Sequence, residues 1–289
     1  MTAAWPRCSF AADAAGDPRE GTAPPGDRWF LVEHPGPWPS DALAALPVAG
    51  SALAGWAEEA AGRVLLVRRP GRTPAGAARR WFRVDARPGH ESVRTGTYAD
   101  EAELSAAVAA PGDPHGGPLV LVCTHGRHDT CCAVRGRPVA AALAGADAGP
   151  VWECSHVGGC RFAPAVVLLP HGYVLGGLSP QGAAAAAAAY RDGHLDAAAV
   201  RGRSALPPAV QAAQHHARKA TGATGVDALR PVHTAWDDLH DGTVEWHVDL
   251  AAPHCTVVLH ERLVPTGRPL TCAATAPGAL RVFDLVKVT

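Results

Sequence analysis

Apolar residues along the chain fall in short runs separated by Pro- and Gly-rich stretches, the pattern of strands and modest helices joined by compact loops. Residues 1–27, rich in Ala, Gly, Pro and Asp, read as an extended lead-in. Trp29–Glu33 reads as a first strand, His34–Pro39 as a Pro-rich loop, and Ser51–Ala61 as a helix with Leu53 and Trp56 on one face. Strands follow at Arg63–Arg68, Arg80–Ala86 and Ser92–Tyr98. Asp100 then caps a helix running to Val108, with acidic residues in its first turn. Ala110–Pro118 is a Pro/Gly linker and a candidate boundary.

The next block is more sharply patterned. Leu119–Cys123 is apolar throughout and reads as a buried strand. A polar loop, Thr124–Cys132, leads to a helix over Ala133–Ala146, with Val134, Val139 and Leu143 roughly on one side. Val151–Cys154 is a strand, and Ser155–Ala163 is a second loop. Val166–Leu169 and Tyr173–Leu178 flank Pro170-His171-Gly172 as a hairpin. Ser179 caps an alanine helix with Pro180 at its first position, ending at Arg191. The order β-α-β then β-β-α is the thioredoxin-like plan, and the first half runs through a coarsely similar order. Beyond Gly202, Pro207–Thr221 reads as a helix with a solvent-facing His215-His216 pair, and Val244–Leu250, Cys255–Leu263 and Leu280–Val286 read as strands.

Composition narrows the function classes. The 289 residues carry a formal net charge of -1, which argues against a nucleic-acid coat or a polybasic membrane binder. No apolar run approaches the ~20 residues of a membrane span, and no start resembles a signal peptide, so a soluble cytoplasmic protein is expected. Arg outnumbers Lys 24 to 2, and neither Lys219 nor Lys287 sits in a Walker-type phosphate loop. Eight Cys and fifteen His remain, and in a large intracellular chain clustered Cys point to metal or redox chemistry rather than disulfide staples.

Two loops concentrate these residues. The first runs Cys123-Thr-His-Gly-Arg-His-Asp-Thr-Cys131-Cys132, the second Cys154-Ser-His156-Val-Gly-Gly-Cys160. Both follow the carboxyl ends of neighbouring strands, where α/β loops meet, so Cys123, Cys132, His156 and Cys160 can converge. Thiolates favour zinc or iron–sulfur, and imidazole suits both. Gly158 and Gly159 are expected to let the backbone approach a bulky cofactor. Arg127, Arg135, Arg137 and Arg161 flank these loops as candidate charge partners. His125, His128 and Asp129 read as loop-holding residues, with a His128–Asp129 proton relay as the alternative. Pro164, just after the second loop, is a candidate cis proline. Cys8, Cys255 and Cys272 read as isolated thiols, and Trp29, Trp38, Trp56 and Trp81 as core or interface aromatics. His233, His240, His247, His254 and His260 are scattered through the tail.

The stretch Leu121–Pro138 together with Ser155-His-Val-Gly-Gly-Cys-Arg-Phe-Ala-Pro164 resembles the sucrase/ferredoxin-like family. Cys8-Ser9, Gly21-Thr22-Ala23 and Trp29–Trp38 extend the likeness, which covers about residues 5–210. The resemblance implies a thioredoxin-like ferredoxin with one 2Fe–2S cluster. Its C-x8-C pair falls on Cys123 and Cys132, and its x3 pair on the hybrid His156 and Cys160. Cys154 is the alternate for His156, and Cys131 is a further spare thiol. The fold class is then α/β (α+β). Residues 1–115 form an N-terminal α/β half, 116–200 the ferredoxin domain, and 201–289 a helix plus a β-rich C-terminal extension. The implied role is electron transfer between redox partner proteins rather than catalysis. A structural zinc on the same four residues is the alternative, and a thiol–disulfide protein is a third reading, weakened by the lack of C-x-x-C.

Overall fold

The computed structural model describes residues 5–71, 76–146 and 149–289. Its elements run α1 (Cys8–Ala15), β1 (Arg28–Glu33), α2 (Gly50–Glu59), β2 (Gly62–Arg68), β3 (Arg79–Asp85), β4 (Ser92–Tyr98), α3 (Glu101–Ala107) and β5 (Asp113–Pro114). Then follow β6 (Leu119–Cys123), α4 (Thr130–Gly145), β7 (Val151–Cys154), β8 (Ala165–Leu169), β9 (Tyr173–Gly176), α5 (Pro180–Arg191) and β10 (Val200–Arg203). The tail holds α6 (Pro208–Thr221), β11 (Arg230–Asp238), β12 (Val244–Ala251), β13 (Cys255–Pro265) and β14 (Ala279–Val288). The fold is α+β.

Ten strands form one mixed sheet in the order β10-β9-β8-β6-β7-β2-β1-β3-β4-β5. Each half has the same connectivity: a parallel pair (β1 with β2, β6 with β7), then an antiparallel strand on the first, then two more outward. The halves join through an antiparallel seam, Val67 opposite Cys154 and Arg68 opposite Glu153. Ser155 prolongs it, donating its N–H to the Leu66 carbonyl while its Oγ accepts the Leu66 N–H. One row of the sheet therefore reads Glu33, Val67, Cys154, Cys123, so Glu33 occupies in the first half the place that Cys123 holds in the second.

Side-chain alternation divides the core. Phe30 and Val32 pack with Leu53 of α2 and Leu104 of α3, while Val120 and Val122 pack with Leu143 of α4 and the α5 alanines. By the register these lie on one face of the sheet. The other face carries a single cluster across both halves, with Trp29, Leu31, Phe82, Leu119, Leu121, Cys123 and Cys154. β6 is buried at all five positions, which is why its sequence is apolar without alternation.

Several expectations change. The lead-in contains α1, which buries Cys8, Ser9 and Ala12. α4 starts at Thr130, not Ala133, because the Asp129 side chain accepts the Cys131 N–H as an N-cap. This puts Cys131 and Cys132 on the first helical turn. β10 and β11 escape the pattern, the first because its buried side chains include Arg201 and Arg203, the second because it is a largely exposed edge strand. Trp29, Trp38 and Trp81 are core residues, and Trp56 packs edge-on against Phe30. The Ala163–Pro164 peptide is cis. No helix among the described residues is long and apolar enough to cross a membrane.

His215 and His216 are half-buried rather than solvent-facing. α6 lies between β10 and the four-stranded tail sheet, so it has little free surface. Burial holds both imidazoles below their ordinary 6.5, against the attraction of Glu20 on both and with Lys219 opposing protonation of both. His171 is lowered likewise, by burial and Arg203. The unfolded chain then binds protons that the folded chain refuses. The neutral-imidazole contribution to stability is complete above the unfolded pKa of 6.5 and is lost as pH falls below it. Each unit of depression is worth about 1.4 kcal/mol per group. Thermal melts from about pH 7.5 to 5.5 should show Tm falling, and a His215→Gln/His216→Gln protein should show a flatter profile. Equal slopes would refute the assignment.

Candidate metal centre

The two loops converge at the carboxyl ends of β6 and β7. One ligand atom each from Cys123, Cys132 and His156 lies within 4.8 Å of the others, as do those of Asp129, Cys132 and Cys160, and of His128, His156 and Cys160. The overlapping groups link Cys123, Cys132, His156 and Cys160, and take in His128 and Asp129 as well. The Cys160 Sγ is 3.6 Å from His156 Nδ1. Cys154, entirely buried beside Cys123, belongs to none of these groups among the described residues. Cys131 faces away, toward Cys8, Asp129 and Cys272. The vicinal pair on α4 is thus split, one thiol to each side.

The thiols share protons unequally. The Cys132 thiol, hydrogen-bonded to Cys123 and Cys160, is pushed up and serves as the proton donor. That bond, with help from Cys154 and against burial, holds Cys123 well below the ordinary thiol range. It likewise lowers Cys160 to about 7. Burial opposes charge on His156, but the Cys123 and Cys160 thiolates win and raise it to about 9. Cys154 is pushed up chiefly by burial, so it stays a thiol. The start of α4 adds a helix N-terminus, which favours thiolate. Metal binding here would displace protons from Cys132 and His156.

Two cations, half-buried Arg63 and buried Arg201, hold the second loop. Arg63 Nη2 donates to the Val157 carbonyl at 2.6 Å. Arg201, 1% exposed, donates to the Gly158 carbonyl at 3.0 Å, to Thr22 Oγ1 at 3.1 Å and to the Thr22 carbonyl. Burial, then Arg161, lowers Arg201 to about 9, while Cys160 and Cys123 favour its charge. Neither Arg63 nor Arg201 is legible as a site residue, since each lies on a strand far from the motif. Of the four flanking arginines, Arg161 lies beside Phe162 and Asp17, and Arg135 pairs with Asp13 at 2.5 Å. Arg127 and Arg137 line a separate cleft of about 230 Å³ with Trp38 and His125.

Both glycines are also required by the protein's own packing. A Cβ on Gly158 (φ 117°) would lie 2.7 Å from Pro24, and one on Gly159 (φ 70°) would lie 2.2 Å from Arg201 Nη2. The first loop is held by His125. Its Nδ1 accepts the His156 N–H at 3.2 Å, which leaves Nε2–H to donate to the Pro39 carbonyl at 2.7 Å. His128 stacks on His156 with centroids 3.6 Å apart. Trp38 packs edge-on against His125 beneath the Arg68 guanidinium, so the first half walls the centre of the second.

No curated protein and no solved structure matches this chain. The sucrase/ferredoxin-like family model matches residues 20–202, which takes in both ligand loops, the seam between the halves and Arg201. With well over half of its length matched, the chain belongs to the sucrase/ferredoxin-like family.

Proposed function

We propose that this chain is a thioredoxin-like electron-transfer protein holding one 2Fe–2S cluster on Cys123, Cys132, His156 and Cys160. The observation that carries the reading is the convergence of three buried thiols and one imidazole from two loops at adjacent strand ends. The donor chemistry fits: two of the thiols favour thiolate, and half-buried Arg63 and buried Arg201 offset negative charge. The repeated connectivity of the two halves supports two thioredoxin-like units, of which only the second carries the donor set.

The cluster would supply one-electron redox chemistry. The chain's own residues tune it and give it access. One imidazole in place of a thiolate removes a negative charge, which raises the potential above the all-Cys range of roughly -400 mV. Arg63 and Arg201 fix the second loop by its carbonyls. His125 ties both ligand loops to the Pro39 strap. His156 is only part-buried, and the exposed His128 ring stacks on it, which marks this edge as the contact for redox partner proteins.

A second reading, one structural zinc, draws on the compactness of the donors, all within 4.8 Å in each group. Anaerobic purification followed by a visible spectrum and assays of iron, sulfide and zinc separates the two. The proposal expects a brown protein with about two irons and two sulfides, bleached by reductant. A colourless, iron-free protein after anaerobic reconstitution would overturn it and favour zinc.

A further inference from the structure

We propose a second metal site, formed by Cys8, Asp129, Cys131 and Cys272, which takes one Zn²⁺ and has only Asp129 in common with the donor groups of the first centre. These residues come from α1, from the start of α4 and from the loop between β13 and β14. Their ligand atoms all lie within 4.8 Å of one another. The Sγ of Cys272 is 3.4 Å from that of Cys131 and 3.5 Å from that of Cys8. Cys8 Sγ is 3.6 Å from Asp129 Oδ2. Zinc with Zn–S near 2.3 Å and Zn–O near 2.0–2.2 Å gives a tetrahedron with edges of about 3.8 Å between sulfurs and about 3.5 Å from sulfur to oxygen. The observed separations are close to these edges, and they are far from the ~2.05 Å of a disulfide.

The surroundings suit a cation. Asp129 is oriented by two backbone N–H groups, of Cys131 and Cys272, at 2.9 Å each, the outer support typical of a ligating carboxylate. Cys8, Asp129 and Cys131 are buried, so the carboxylate is held out of water beside two thiols, an arrangement that a cation stabilises. Cys272, the exposed member, closes the site from the solvent side. The ion would fasten the amino-terminal helix and the tail loop to the first turn of α4, the turn that presents Cys132 to the first centre. The site stands whichever group that centre holds.

The test uses the full-length chain in four forms: unaltered, Cys272→Ser, Cys123→Ser/Cys160→Ser, which removes the first centre, and Cys123→Ser/Cys160→Ser/Cys272→Ser. Each is incubated anaerobically with Zn²⁺, desalted and assayed for metal. The Cys123→Ser/Cys160→Ser protein should retain one zinc per chain, and adding Cys272→Ser should remove it. In the unaltered chain, alkylation of Cys272 by iodoacetamide, followed by peptide mass spectrometry, should slow about tenfold at zinc concentrations near ten times the Kd. Zinc retained in full after Cys272→Ser, or alkylation indifferent to Zn²⁺, would overturn the site. Iron and sulfide, read on the same unaltered sample, report separately on the first centre.

Discussion

Cys132→Ala is expected to yield a folded but colourless protein that fails to acquire iron on anaerobic reconstitution. The Cys132 Sγ belongs both to the group with Cys123 and His156 and to the group with Asp129 and Cys160, so its removal breaks the donor set at its middle. The lost burial is one small side chain on the first turn of a helix whose N-cap is Asp129. That cost, on the order of 1 kcal/mol, is too small to unfold the chain. Loss of iron would therefore report on ligation rather than collapse. Cys255→Ala, in the tail core, should keep the colour. Cys154→Ala should keep it too, because Cys154 joins no converging group and burial holds its thiol protonated. His156→Cys should remain coloured, with a potential lower by on the order of 100 mV or more, because an added thiolate stabilises the oxidised state. A Cys132→Ala protein with the unaltered spectrum and iron content would sink the ligand assignment.

Gly136→Ala is expected to damage both the fold and the centre. A Cβ there would lie 2.1 Å from the Cys123 carbonyl oxygen and 3.2 Å from its carbon, and both are backbone atoms of a central strand. Neither can rotate away, so α4 must lift off β6. Alanine gains about 1 kcal/mol of helix propensity over glycine, but the forced separation costs about 3 kcal/mol. The net loss of about 2 kcal/mol should lower Tm by roughly 3 °C. The same displacement moves Cys132 away from Cys123, so iron content should fall together with stability. Gly145→Ala, in the same helix with nothing within 4 Å of the added carbon, is the control and should be neutral or slightly stabilising. If Gly136→Ala melted with Gly145→Ala and kept its iron, the close approach of α4 to β6 would be refuted.

The pairing of local pattern with motif spacing carried the reading of this chain a long way. The apolar run Leu119–Cys123 could only be a strand buried on both faces, and Ser179-Pro180 could only open a helix, because each is determined by residues within a few positions. The two Cys/His loops were legible for the same reason, since each is short and follows one strand end, and the structure brings Cys123, Cys132 and His156 within 4.8 Å of one another. The amino-terminal helix was hidden because Cys8–Ala15 is mostly small residues, with little contrast between its faces.

Other features depended on contacts between segments far apart in sequence. The seam between β2 and β7 makes one sheet of two similar halves, and it rests on backbone pairing, the Ser155 hydroxyl and the Arg68–Glu153 ion pair, contacts between segments more than 80 residues apart. No motif marks Arg201 or Arg63, yet the fold sets both against the carbonyls of the second loop, Arg201 fully buried and Arg63 half-buried. The half-burial of His215 and His216 required the tail sheet to cover α6. Cys8, Cys131 and Cys272 looked unrelated because more than 100 residues separate each neighbouring pair in the chain. Periodicity and short motifs report the geometry of a few residues at a time. Which distant groups share a buried volume is decided by packing, where burial cost forces polar and charged side chains to find one another.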